Sequence, residues 1–308
     1  MSKSKKSGGN RRRSIPTSST SQHEDHTSRE TLCLKELKLL IKESDEQDLA
    51  DFGPFLNDRF LLHFVRGRKF RAKEAFATLK NYIKVRRDKF PEIFKPLQPS
   101  KSLRHKNIAK ILKNKDDQGR LVIIGYTKHW DPKTCPADDL IGEISLYIDE
   151  LMNIEDVERL GIVLILDLSG YGLKHAKIAT PSQMHKLVSI FHSACPVRLK
   201  GQHIINEMYL FSVVAKSLLK LLPHKIQNRL HFHSTNMVSL HKFINPDILP
   251  KSLGGKLSEE DALMDLTELE KKIRSNENYY KQLSESWNDQ VVSGSASSAV
   301  LSSWSDQN

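Results

Sequence analysis

The segment Ile162-Val163-Leu164-Ile165-Leu166 is the longest uninterrupted aliphatic run in the chain, and it narrows the possible folds more than any other feature. Five residues make a strand but fall far short of the roughly 20 that cross a bilayer. An apolar run without polar alternation marks a strand covered on both faces, as in a parallel sheet flanked by helices. The run continues through Asp167-Leu168, so the strand is expected over 162–168.

Neighbouring patterns support the same architecture. Leu121–Tyr126 is β-rich and follows the turn residues Asp116-Asp117-Gln118-Gly119. Gln202–Ile205 reads as a short strand, and Leu230-His231-Phe232-His233 alternates as another. Between them lie helical patterns. Glu143–Asn153 sets Ile144, Ile148 and Leu151 on one face with Tyr147 at its edge; Pro181 opens a helix carrying Met184, Leu187, Val188 and Phe191. Glu207–Leu222 is helical and unusually apolar, and residues 236–246 are helical again. Alternating strands and helices of these lengths predict an α/β fold, a mostly parallel sheet flanked by helices.

The upstream region is different. Leu32, Leu34, Leu37, Leu40 and Ile41 recur at helical spacing, with a start expected near Thr31. Phe60, Leu61, Phe64 and Val65 form a second stripe beginning near Asp58, and Ala72–Arg86 a third. Pro91, Pro96 and Pro99 then end helical continuity. The expected organisation is a disordered basic tail over 1–29, a small all-α domain over 30–95, and an α/β domain over 100–256. A C-terminal helix follows within 257–284, starting at Leu257 and docking on the domain, and then a flexible tail over 285–308, where Trp287 and Trp304 are unusual in solvent.

The net charge of +11 is uneven: residues 1–22 hold six cations and no acid, leaving +5 for the rest. The tail suits a polybasic membrane tether or a nuclear-import signal, and Arg11-Arg12-Arg13-Ser14 a kinase. Anionic partners are therefore expected where charge clusters in the folded part. No apolar leader opens the chain, and the expected location is cytoplasmic, at the surface of endosomal or plasma membranes. Cys33, Cys135 and Cys195 lie far apart without CxxC spacing, as idle thiols would.

Enzyme signatures are missing. No Gly-x-Gly-x-x-Gly or P-loop pattern occurs, and Leu168-Ser169-Gly170-Tyr171-Gly172 lacks the glycine a nucleophile elbow needs two residues before its serine. Among thirteen histidines, His231 with His233 and His185 with His192 share faces, but no carboxylate accompanies them at ligand spacing. Asp167 suits a turn cap better than a catalytic acid. No catalytic residue, metal or cofactor is expected.

Four constellations stand out. Arg59–Phe70 combines an amphipathic helix with a basic C-terminal end, Arg66-Gly67-Arg68-Lys69. Pro196-Val197-Arg198-Leu199-Lys200-Gly201 precedes a strand, and Lys225-Ile226-Gln227-Asn228-Arg229 sets two cations four residues apart. Cations delivered to one place by several loops can hold a multiply charged phosphate. Finally, Glu207–Leu222 is apolar on more than one face, with Lys216 and Lys220 as a single polar edge, which suits full burial or contact with lipid.

Together these stretches resemble the CRAL-TRIO (Sec14-like) lipid-binding family over roughly residues 30–257. The matching motifs are Phe60-Leu61-Leu62-His63-Phe64-Val65-Arg66-Gly67-Arg68-Lys69-Phe70, Asp117–Val122, Asp167-Leu168-Ser169-Gly170, Pro196–Gly201, His203-Ile204-Ile205-Asn206-Glu207 and Ile248–Gly255. The likeness is strongest to the branch of tocopherol-transfer proteins and clavesins. It implies a CRAL-TRIO domain with a mobile gate helix, behind a small all-α domain, caging one hydrophobic lipid that is tocopherol-, retinoid- or phospholipid-like. It also implies that the gate helix turns Phe211, Val214 and Leu218 to that lipid, with Ile141, Ile144, Ile148, Ile162, Ile190, Phe191 and Val197 as the opposite wall. Arg68, Arg198, Lys200, Lys225 and Arg229 match that branch's phosphoinositide-binding cations. The chain departs from the pattern at Met208, where proline is usual, and at Ile144 and Ile148, which stand where the tocopherol carrier has serine. The implied function is an intracellular carrier that works as a monomer, binds no nucleic acid and transfers its lipid at phosphoinositide-containing membranes. The alternative is a phosphoinositide-binding trafficking adaptor without net transport.

Overall fold

The computed structural model describes residues 19–44, 49, 52–105, 107–154, 156–208, 219 and 222–286. Three helices come first: α1 (Ser19–Lys42), α2 (Asp58–Gly67) and α3 (Ala72–Lys84). The α/β region holds β1 (Ala109–Ile111), β2 (Leu121–Tyr126), α4 (Ala137–Leu151), β3 (Ile162–Asp167), α5 (Pro181–Leu187), β4 (Leu199–Ile205) and β5 (Leu230–Ser234). Two helices close the described chain, α6 (Thr267–Ser275) and α7 (Glu277–Ser286).

The strands form one sheet in the order β1-β2-β3-β4-β5. β2 to β5 are parallel, and β1 joins the edge antiparallel to β2. The aliphatic run is thus the central strand, with β2 and β4 on either side, as its composition requires. Its two faces are not equally covered. Val163 and Ile165 are fully buried among Val122, Ile124, Ile205, Leu240 and Leu249, whereas Leu164 and Leu166 on the other face are half-buried. The expectation of complete cover on both faces is therefore corrected: one face is sealed and the other is only partly covered.

Helix α2 starts where Asn57 accepts a hydrogen bond from the Phe60 amide at 3.0 Å, with Asp58 in the first turn. Its apolar stripe, Phe60, Leu61, Phe64 and Val65, packs with Leu79, Tyr82 and Ile83 of α3 in a core that also takes in Ile141, Ile148, Ile162, Ile190 and Val197. The helical region and the α/β region therefore share one hydrophobic core. Arg86, just past α3, strengthens that join with two 2.8 Å hydrogen bonds to Asp149 of α4.

Several boundaries differ from the sequence expectation. α1 begins at Ser19 rather than near Thr31, and Glu30, the first residue of the expected domain, holds Arg66 of α2 through bonds of 2.8 and 2.9 Å. The single docking helix expected from Leu257 is instead a short helix, Glu259–Ala262, followed by α6 and α7, with breaks over 263–266 and at Asn276. They bind the α/β region and its proline-rich approach: Arg274 donates to the carbonyls of Pro99, Ser100 and Leu103, Glu277 accepts from Ser100, and Tyr147 donates to Glu270. The helices expected over 72–86 and from Pro181 each end in a π-helical segment, Val85–Lys89 and Val188–Ala194. A π-helical turn often marks a functional position, and the second of these flanks the cleft described below. Most of the apolar helix expected over Glu207–Leu222, together with Trp287 and Trp304, lies outside the described residues.

Candidate anion-binding cleft and apolar sheet face

At the amino ends of β3, β4 and β5, the chain leaves an open cleft of about 580 Å³, within the ~300–1,000 Å³ range of small-molecule sites. Arg68 reaches it from the end of α2, Arg198 and Lys200 from the start of β4, and Lys225 and Arg229 from the turn His224–Gln227 and the approach to β5. The five cations singled out in the sequence therefore meet in one place, although 161 positions separate Arg68 from Arg229. Lys69 and Arg71 also line the cleft, and Glu74 is its single carboxylate among the described residues. Arg71 neutralises Glu74 at 2.7 Å, so the remaining charge is cationic.

Close backbone approach builds this site. A Cβ on Gly67 would lie 2.4 Å from the Pro196 carbonyl oxygen, and one on Gly161 would lie 2.3 Å from that of Arg198. Gly161 also has φ +83°, a conformation L side chains rarely adopt. Glycine at both positions lets α2 and the start of β3 press against the Pro196–Lys200 segment. Glu158 helps to orient the end of α2, its carboxylate lying 2.6 Å from His63 Nδ1 and 3.7 Å from Arg66.

The cleft cations are held in different ways. Arg68 donates to Thr78 Oγ1 at 2.7 Å, Cys195 O at 3.0 Å, Pro196 O at 3.2 Å and Gly67 O at 3.4 Å. Burial lowers its pKa, with Cys195 and Glu74 acting the other way. Arg198 donates through Nη2 to the carbonyls of Glu158 and Arg159, while its buried Nε and Nη1 have no hydrogen-bond partner. Burial, then Arg68 and Arg229, lower its pKa. Lys200 is depressed by burial, then by Arg198, Lys69, Arg229 and Arg120. Arg229 donates to Leu199 O at 2.7 Å. Like charges this crowded, beside buried N–H groups without acceptors, favour a polyanion.

A second surface lies on the half-buried sheet face. In the strand register Ile123, Leu164, Gln202 and Leu230 form one row across β2 to β5, and Gly125, Leu166, Ile204 and Phe232 form the next. All but Ile204 are half-buried, and six of the eight are large and apolar. Apolar side chains in the middle of a sheet are normally sealed; here they form a floor that lipid chains can complete.

The chain leaves this face at Asn206, whose left-handed φ of +55° turns the backbone beyond β4. Asn206 Nδ2 donates to Asp167 at 2.9 Å, and Glu207 accepts from the Ser234 amide and hydroxyl at 3.0 and 3.1 Å. Asp167, weighed above as an acid, also accepts from Ser169 and works as a turn cap. Met208, where the family pattern has proline, is 59% exposed.

The seven wall residues lie in or against the shared hydrophobic core. Ile141, Ile148, Ile162, Ile190 and Val197 are buried in the shared core, and Ile144 and Phe191 pack half-buried against it. Ile148, Ile190 and Phe191 also border a water-sized void of about 10 Å³, while Phe191 and Val197 face the basic cleft. Phe211, Val214 and Leu218 lie outside the described residues. Sequence reasoning did not single out Leu164 and Leu166, although their alternation with Val163 and Ile165 held the signal that they lie on the other face of the sheet.

His203 stacks on both His231 and His233, with ring centroids 5.0 and 5.2 Å apart, beside Phe243. His203 Nδ1 lies 3.0 Å from His233 Nε2. Parallel rings do not converge their nitrogens on one point, and no group of three metal-ligating side chains occurs among the described residues. Burial pushes His203 down to about 3, with His231 and His233 adding to the effect. The unfolded chain therefore binds a proton near pH 6.5 that the native ring refuses, so stability is present above that pH and falls as pH drops towards 3. Near pH 5 the loss from His203 alone is about 1.4 kcal/mol per pH unit. Urea unfolding at pH 7 and pH 5 measures it, and equal unfolding free energies would contradict this linkage.

Residues 105–255 match the CRAL/TRIO domain. The human α-tocopherol transfer protein-like protein is 31% identical over 223 residues, covering 72% of this chain and 65% of that protein. Clavesin-1 of Xenopus laevis is 29% identical over 209 residues, covering 67% and 63% respectively. The chain thus spans just under two thirds of the length of these relatives. The crystal structure of Sfh5 aligns with a TM-score of 0.47 at 15% identity, covering 68% of this chain and 76% of that one. The chain belongs to the CRAL-TRIO family, whose members bind and transfer lipophilic ligands.

Proposed function

We propose that this chain carries one hydrophobic lipid against the half-buried sheet face and exchanges it at membranes that display phosphorylated inositol lipids. The observation that carries the reading is the convergence of Arg68, Arg198, Lys200, Lys225 and Arg229 on one cleft whose only carboxylate among the described residues is already paired. The seven wall residues and the gate residues Phe211, Val214 and Leu218 complete the proposed cage. No catalytic step, metal or cofactor enters this function. The protein acts as a cytoplasmic carrier that meets endosomal or plasma membranes peripherally; among the described residues no helix is long and apolar enough to cross one.

Chemistry narrows the cargo. Ser145 of α4 spends its hydroxyl on Ile141 O at 2.8 Å, and Ile144 and Ile148 offer none. A lipid held by apolar contact suits this wall better than one needing several hydrogen bonds. Burying about 500 Å² of such a lipid at ~25 cal/mol/Å² favours retention by roughly 12 kcal/mol before ordering costs. Release into water is then slow, and a membrane has to supply both trigger and destination.

Transfer of a fluorescent lipid between donor and acceptor vesicles tests the reading. Faster transfer when the acceptors contain phosphatidylinositol bisphosphate supports it. Binding to those vesicles without net transfer would favour the adaptor alternative, and no binding would overturn the proposed membrane recognition.

A further inference from the structure

We infer that Gln202 is the polar anchor of the lipid floor, and that with His192 it selects a cargo lipid carrying a neutral hydroxyl group. This rests on the reading of the half-buried sheet face as the lipid floor, and it names the chemical class that the floor accepts.

Gln202 is out of place by composition. In the register it stands between Leu164 of β3 and Leu230 of β5, in a row that Ile123 begins on β2. Every residue in that row is half-buried, and only the Gln202 side chain can form hydrogen bonds. Its backbone is fixed in the sheet, where its amide donates to Arg229 O at 2.7 Å.

The side chain makes one hydrogen bond among the described residues, its Nε2 lying 3.3 Å from Nε2 of His192. An amide nitrogen only donates, so His192 Nε2 accepts and the ring proton sits on Nδ1. Burial, then Arg229 and Lys225, lower the His192 pKa, which keeps the ring neutral near pH 7 and able to accept. His192 belongs to the π-helical segment Val188–Ala194 and lines the basic cleft. The pair therefore stands where the cleft gives way to the floor. Lys200, just before Gln202 on β4, lines the cleft, while Ile204, just after it, joins the next row of the floor.

That single bond leaves Oε1 and one N–H of Gln202 open to whatever covers the floor. A hydrocarbon lying there would strip water from both groups and return no hydrogen bond, which is unfavourable. A carbonyl or carboxylate only accepts, so it would satisfy the N–H and leave Oε1 unpaired. A hydroxyl donates and accepts from one atom, and so answers both. Neither Gln202 nor His192 carries charge, so nothing in the pair draws a phosphate away from the cleft cations. The cargo hydroxyl then lies at the cleft end of the floor, with the apolar body over Leu166 and Phe232.

Uptake from phosphatidylcholine vesicles that contain retinol, cholesterol and α-tocopherol, each in equal amount with its O-methyl ether, tests this selection. Full-length chain is incubated with the vesicles and re-isolated, and the lipid it carries is quantified by mass spectrometry. Wild type is expected to take up at least one of these alcohols about tenfold over its ether, as one hydrogen bond to a desolvated polar group implies. Gln202→Met keeps the side-chain length and loses both polar groups, so the ratio should fall to within about twofold, the ether gaining as the alcohol loses. Gln202→Leu, which matches the leucines on either side, is the second variant, so a folding defect in one does not remove the test. His192→Phe frees the amide to turn and should leave a ratio of about threefold. Melting temperatures separate selection from packing, because a purely structural role would lower them and leave the ratio in place. The wild-type ratio retained in both Gln202 variants, or equal uptake of alcohols and ethers by wild type, would overturn the inference while leaving the floor reading intact. Uptake of phosphatidylcholine in place of every alcohol would overturn it too. Failure to take up any lipid would instead overturn the reading of the floor itself.

Discussion

Replacing Lys225 and Arg229 together by alanine is expected to abolish the stimulation of lipid transfer by phosphoinositide-containing acceptor vesicles. Lys225 is exposed on the turn His224–Gln227, and the Arg229 side chain donates one hydrogen bond, to Leu199 O. Neither holds the core together, so the double variant should fold. Each cation close to an anionic surface contributes on the order of 1 kcal/mol before screening, so losing two should weaken binding about thirtyfold. Raising the salt concentration should narrow the difference between wild type and variant, because exposed charges are screened beyond roughly 8 Å at physiological ionic strength. Basal transfer to neutral vesicles should change far less. Stimulated transfer at the wild-type rate would remove the cleft from the mechanism.

The largest effect on stability is expected from Asp149→Ala. The Arg86–Asp149 pair is bidentate, with side chains only 6% and 9% exposed. Arg86 also lies over the rings of Tyr82 and Phe94, at 4.0 and 4.7 Å from their centroids. Burial alone would lower the Arg86 pKa, yet Asp149 and its hydrogen bonds outweigh that and raise it. Removing Asp149 leaves a buried cation without its counter-charge, which typically costs about 3–5 kcal/mol. Replacing both residues by apolar ones of similar size, as in Arg86→Met with Asp149→Leu, should recover most of the loss, because the pair also pays desolvation in the native state. Unfolding in urea, read by circular dichroism, distinguishes the cases. A mild effect of Asp149→Ala would mean that the join between α3 and α4 depends on the surrounding aromatic contacts instead.

Much of this architecture was legible in the residues, for physical reasons that differ from element to element. The central strand could be read because five consecutive aliphatic residues tolerate no other arrangement in a chain of this length. α2 could be read because its stripe and its Asn57-Asp58 start agree on one helix face and one beginning. What the pattern could not report was cover. Leu164 and Val163 are equally apolar, and only the packing shows that one is sealed and the other half-open. The extent of α1 was missed because residues 19–29 are polar, and Glu30 is held through a partner 36 positions away. The break over 263–266 was missed because Leu257–Arg274 carries helical residues on both sides of a turn capped by Asp265.

The candidate site divides in the same way. Arg68, Arg198, Lys200, Lys225 and Arg229 came from motifs and a family resemblance, since nothing local in the sequence says that residues so far apart will meet. Their convergence is a property of the parallel sheet, which brings the amino ends of β3, β4 and β5 to one edge.

The central claim is that one hydrophobic lipid occupies the space over the half-buried sheet face. Native mass spectrometry of the purified full-length chain, followed by extraction and identification of what it carries, tests that claim most directly. The account predicts a single additional mass per chain that belongs to one lipid, and its loss when Leu164 is replaced by tryptophan to fill the floor. A protein that runs at the mass of the chain alone, even after incubation with lipid vesicles, would contradict it.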